Sequence, residues 1–172
     1  MNTSEIKTEE DDIFNQPKLS TGLNVLTILT FIGCFIQFIF SLLAYFGAKT
    51  NYENRDDMAA KMSSPKIPAW LQKLIPSHDD FIKMATKSYF NKVPILIITL
   101  LGIVLCFLGA LQMKELKKQG YTFYIVGELL PFLSTVIFVG TFALSGIGFY
   151  FIAAMSILFI LLYTAQRKNL AY

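Results

Sequence analysis

Histidine is nearly missing from this chain: His78 stands alone among 172 residues. With no second histidine and no cysteine beside it, the spacing that a bound metal requires is absent, so no metal is expected. His78 precedes Asp79 and Asp80 and reads as a solvated residue at a helix start. Cysteine is almost as scarce. Cys34 and Cys106 lie in two different apolar runs, which excludes a disulfide framework. They read as two small apolar core residues. The chain has no glycine-rich phosphate loop. Its serine and cysteine side chains have no base close by in sequence. The expectation is therefore a protein that is not an enzyme and holds no cofactor. The net charge of +3 is spread over several segments, which argues against a nucleic-acid partner.

The most telling shortage is of charge. Between Glu128 and Arg167 there is no Asp, Glu, Lys, Arg or His. As one helix this run of about 38 residues would extend about 57 Å, against a bilayer core of about 30 Å. It should fold back as two spans, with a crease at Ser145-Gly146-Ile147-Gly148, where two glycines free the backbone. Two further uncharged runs, Leu19 to Ala48 and Val93 to Met113, are each long enough to span. What is abundant agrees: 54% of residues are hydrophobic and 15% aromatic. The expected fold is an all-α membrane protein. Four transmembrane helices, near 23–47, 93–113, 122–144 and 149–166, form two antiparallel hairpins. An acidic polar tail (1–21) precedes this four-helix domain (22–172), with membrane lipid as its surroundings. The first run follows an acidic leader and is too long for the core of a signal peptide.

The 49–92 connection is the one sizeable segment outside the spans. Its first part, 49–68, is polar and reads as irregular. Pro68 to Pro76 then enclose Trp70, Leu71, Leu74 and Ile75, a short interfacial helix with Trp70 as anchor at headgroup depth. Ser77 is placed to cap a second helix, with Asp79 and Asp80 in its first turn. That helix should run toward the second span, where Pro94 marks a start or a kink. Cation counts do not orient the chain: eight lie in 49–92 and seven on the other face. Their density does. Lys114, Lys117 and Lys118 crowd one short turn, and Arg167 and Lys168 follow the last span, so this turn and both termini should be cytoplasmic in a cell membrane.

Glu128 is the sharpest single residue. It lies about seven residues, or roughly 10 Å, into the third apolar segment. A carboxylate there is costly unless paired, protonated or wet. Pro131 lacks an N–H, so in a continuous helix the carbonyl of Gly127 loses its usual partner. Gly127, Glu128 and Pro131 thus form a candidate proton or cation site. The alternative is a structural glutamate near the interface, bonded to Tyr124 or Gln112 or paired with Lys114. Under the first reading, Gln37, Gln112 and Thr135 should converge on Glu128 around a cavity.

Small and hydroxylated residues mark candidate helix-packing faces. Gly102 and Gly109 are seven apart on the second span. Ser134, Thr141 and Ser145 continue a heptad stripe begun by Gly127 and Pro131 on the third. Such stripes let helices approach closely in lipid. They serve the bundle itself, a second copy or another membrane protein.

The stretch KELKKQGYTFYIVGELLP, Lys114 to Pro131, combines a lysine-rich turn, a Gly-aromatic step and a span opening on Glu and Pro. With the span layout, it resembles small, uncharacterised bacterial four-span integral membrane proteins. The resemblance implies the layout and no activity. Two functions remain open: a structural or accessory protein acting through helix–helix contacts, and a small transport or proton- or cation-coupled subunit using Glu128.

Overall fold

The computed structural model describes residues 20–62, 68, 75–167 and 170. These residues form helices and no strands: α1 (Thr21–Glu53), α2 (Arg55–Met62), α3 (His78–Phe90), α4 (Lys92–Lys114), α5 (Gln119–Phe138), a 3₁₀ turn (Thr141–Ser145) and α6 (Ile147–Gln166). Four of them, α1, α4, α5 and α6, are long and apolar enough to cross a membrane. Trp70 and most of the 1–21 tail lie outside the described residues.

Helix starts follow local chemistry. Ser20 precedes α1 in extended conformation, and its hydroxyl accepts the Leu23 N–H at 3.2 Å. Ser77 does the same for α3, accepting from the Asp80 N–H at 3.3 Å and donating to the Asp80 carboxylate at 2.7 Å. Pro94 falls in the first turn of α4, where a missing N–H costs nothing. Helix α1 has 33 residues, about 50 Å at roughly 1.5 Å each. Its length and the separate helix α2 correct the expectation of an irregular segment after residue 49. Asp56 and Asp57 open α2 and Lys61 closes it, complementing the helix dipole.

The third span ends at Phe138 rather than near 144, and the crease lies upstream of Ser145–Gly148. Gly140 has φ 101° and ψ 178°, a region open essentially to glycine alone. The Val139 and Gly140 N–H groups both bond the carbonyl of Thr135, closing α5. Thr141 and Ser145 therefore sit in the 3₁₀ turn and do not extend the α5 stripe. Thr141 is exposed. The Asn91 side chain, between α3 and α4, donates to the Phe138 carbonyl at 3.1 Å and ties that corner down.

Helices α4 and α5 lie antiparallel, backbone to backbone. A Cβ on Gly102 would stand 2.8 Å from the Gly127 carbonyl oxygen, and one on Gly120 would stand 2.6 Å from the Gly109 carbonyl oxygen. Ser134 falls one heptad beyond Gly127 and is buried. Helix α1 packs on α4 through Phe31 and Phe107, whose rings are 4.9 Å apart. Helix α6 joins at its far end: Tyr163 meets Thr30 at 2.7 Å, and Tyr121 meets Thr164 at 2.7 Å. The start of α1 and the end of α6 share one end of the bundle, where Ser20 donates to Gln166 at 3.2 Å. At the opposite end Tyr52 stacks on Tyr89 at 4.7 Å, and Lys92 sits 5.0 Å above the Tyr89 ring.

We expect Gly109→Ala to destabilise the folded chain by about 1–3 kcal/mol, because the new methyl meets backbone rather than a side chain that can move. Gly33→Ala, where nothing lies within 4 Å of the added Cβ, should be neutral or slightly stabilising. Unfolding in mixed micelles, followed by circular dichroism, compares the two. Equal midpoints would refute the close-packing account.

Candidate functional site

Helix α5 presents two faces that do different work. Gly120, Gly127 and Ser134 recur every seven residues and are buried, with the two glycines against α4. Glu128 is one residue on from Gly127, so its side chain leaves about 100° around the axis from that face. It reaches α6, where its Oε1 accepts a 2.5 Å hydrogen bond from the Ser156 hydroxyl. Its Oε2 accepts from the Cys106 thiol of α4 at 3.6 Å. The same thiol lies 3.7 Å from the carbonyl of Tyr124. Glu128 thus bridges three helices and is half-buried. Among the described residues, no lysine or arginine lies within ion-pair distance of it.

Beside this carboxylate is a cavity of about 700 Å³. Helix α1 contributes Thr30, Gly33, Cys34 and Gln37. Helix α5 contributes Tyr124, Glu128, Pro131 and Thr135, and α6 contributes Met155, Ser156 and Phe159. Met84 of α3 and Ala143 of the 3₁₀ turn also line it. No Lys, Arg or His side chain among the described residues lines it.

Of the polar residues expected to converge, Gln37 and Thr135 share the cavity wall with Glu128. Thr135 spends its hydroxyl proton on the Pro131 carbonyl of its own helix, at 2.8 Å. Gln112 is elsewhere: it packs beside Gly120 at the α4–α5 turn, and its buried Oε1 has no hydrogen-bond partner among the described residues. Gly127 and Pro131 separate from Glu128 in role. The Gly127 carbonyl freed by the proline abuts Gly102 in the helix contact, and Gly127 does not line the cavity. Pro131 contacts both: its ring is 3.1 Å from the Cβ position of Gly102, and it also lines the cavity. Gly102 and Gly109 lie in the α4–α5 contact.

Two partners of Glu128 were not anticipated. Ser156 reads from sequence as a packing residue and Cys106 as core filler. One signal was available: Ser156 is the one serine in α6. The pairing itself is non-local, separated by 28 residues for Ser156 and 22 for Cys106, and no spacing rule reaches across helices. No family of known proteins, no curated protein and no solved structure matches this chain.

A hydrogen bond to a charged acceptor contributes about 1.5–3 kcal/mol, and neighbours in one network are non-additive. Ser156→Ala and Glu128→Gln should therefore couple by about 1 kcal/mol or more in a double-mutant cycle. Chemical unfolding in detergent gives the four stabilities. Strict additivity would mean that the two side chains do not meet.

Proposed function

We propose that this chain is a small transport-type membrane subunit that takes up a proton or a cation at Glu128. The observation that carries the reading is the company this carboxylate keeps. Glu128, Gln37 and Thr135 line one cavity, and no basic side chain among the described residues neutralises the charge. A half-buried carboxylate without a counter-charge is costly in lipid, and a bound proton or cation lifts that cost. Ser156 and Cys106 hold the carboxylate in place and leave part of its acceptor capacity free. The role is binding and passage rather than catalysis. In this reading the four spans form two antiparallel hairpins in a bacterial cell membrane. The 114–120 turn and both termini face the cytoplasm, as the clustered lysines favour. Helices α2 and α3 rest at the opposite interface, with the Tyr52, Tyr89 and Lys92 cluster at headgroup level.

The test is flux across proteoliposomes containing the purified chain. An imposed gradient should drive proton or cation movement above that of empty vesicles. Glu128→Gln should reduce it, because the substitution removes the ionisable group on which the reading rests. Flux unchanged by the substitution would overturn the proposal.

A second reading, an accessory protein working through helix contacts, draws on α6. Its buried residues, Ser156 and Tyr163, are seven apart, so one narrow stripe faces the bundle. The remainder is left for lipid, a second copy or a partner helix. Crosslinking in native membranes from cysteines placed at Ile157 or Leu161 should then trap a discrete species. A chain that stays monomeric at every such site would count against it.

A further inference from the structure

We propose that the cavity beside Glu128 is a binding site for a lipophilic organic monocation, of the amphiphilic amine or quaternary onium class, entering sideways from the bilayer. The proposal rests on the reading of Glu128 as a cation site and names what that site takes.

A proton alone needs no space. A cavity of about 700 Å³ falls within the range of small-molecule sites. A hard inorganic cation needs several oxygen ligands around it. Here Glu128 is the one acidic side chain among the described residues that line the cavity. Most of the wall is hydrocarbon and aromatic ring. Tyr124, Phe132, Phe149 and Phe159 line it, and aromatic faces attract organic cations. One negative charge in an apolar chamber matches one positive charge on an apolar body.

The way in is also visible. The cavity lies between α1 and α6, whose hydrogen-bonded contacts, Ser20 with Gln166 and Thr30 with Tyr163, lie toward the start of α1 and the end of α6. Its outer flanks are lipid-type residues that are well exposed: Phe40 at 65% on α1, and Phe151 at 68% and Ile152 at 58% on α6. Gly33 faces this space, with no atom within 4 Å of where a Cβ would stand. A larger side chain at 33 would take up space at the cavity wall.

The probe is tetraphenylphosphonium, with tetraphenylborate as the size-matched anion. Equilibrium dialysis compares the full chain in zwitterionic phospholipid nanodiscs with empty nanodiscs. Saturable excess uptake of one phosphonium per chain is expected, with no excess borate. Glu128→Gln should weaken phosphonium binding by about tenfold or more, consistent with loss of a desolvated charge pair. Gly33→Leu, a substitution that suits a helix, should weaken it by a similar factor through lost space. It keeps the test decisive should Glu128→Gln fail to fold. Equal uptake of anion and cation, or phosphonium uptake no greater than in empty discs, would overturn the proposal. So would binding indifferent to Gly33→Leu. Phosphonium binding without any flux would sink the transport reading and leave the site standing. Proton flux without phosphonium binding would do the reverse.

Discussion

The contact on which the other features of this fold rest is the meeting of α4 and α5 through four glycines. In lipid, apolar side chains gain little by leaving their surroundings, so close backbone approach and hydrogen bonds between helices hold a bundle together. Gly102 against Gly127 and Gly109 against Gly120 permit that approach, with the carbonyl of one helix set against the α-carbon of the next. Such Cα–H···O contacts are individually weak, but they repeat along the seam. Pro131 lies at one edge of it and supplies bulk opposite Gly102. The pair then serves as a platform. Helix α1 packs on its α4 side through the Phe31 and Phe107 rings, and α6 is attached at one end by tyrosine hydroxyls.

The uneven attachment of α6 shapes the site. Where Tyr163 meets Thr30 and its ring lies 4.6 Å from that of Tyr124, the bundle is closed. About two turns away, the helices part around Glu128, and Ser156 is the polar link that crosses the gap. A carboxylate in such a position would ordinarily be costly. Two donors, a hydroxyl and a thiol, reduce that cost. The cavity therefore sets one carboxyl group among mostly apolar side chains, and both proposals above grow from that combination.

Parts of this arrangement can be read along the chain. Uncharged stretches announce four membrane-length helices, because hydropathy is a local property. The Ser77 cap is local too, since its partner is the N–H three residues on. The seven-residue step from Gly102 to Gly109 marks a helix face, and Glu128 stands out by charge alone. Other parts resist such reading. The third run holds Gly140, Gly146 and Gly148, and which of them breaks the helix depends on backbone angles that only Gly140 takes. The polar stretch after Lys49 looks irregular by composition, yet Arg55–Met62 is helical, with charges suited to its two ends.

What the sequence by itself determined is the inventory: an all-helical chain, four apolar helices, small residues at heptad steps and one acidic residue where acid is costly. These follow from hydropathy and helical periodicity, which act over one element at a time. Tertiary structure alone decided the partners. It set Gly127 against Gly102 while turning its neighbour Glu128 toward α6. It brought Ser156 and Cys106 to the carboxylate, left Gln112 at the α4–α5 turn, and opened a cavity between α1 and α6. Those outcomes depend on how helices dock, and docking is settled by surfaces that are far apart in the chain.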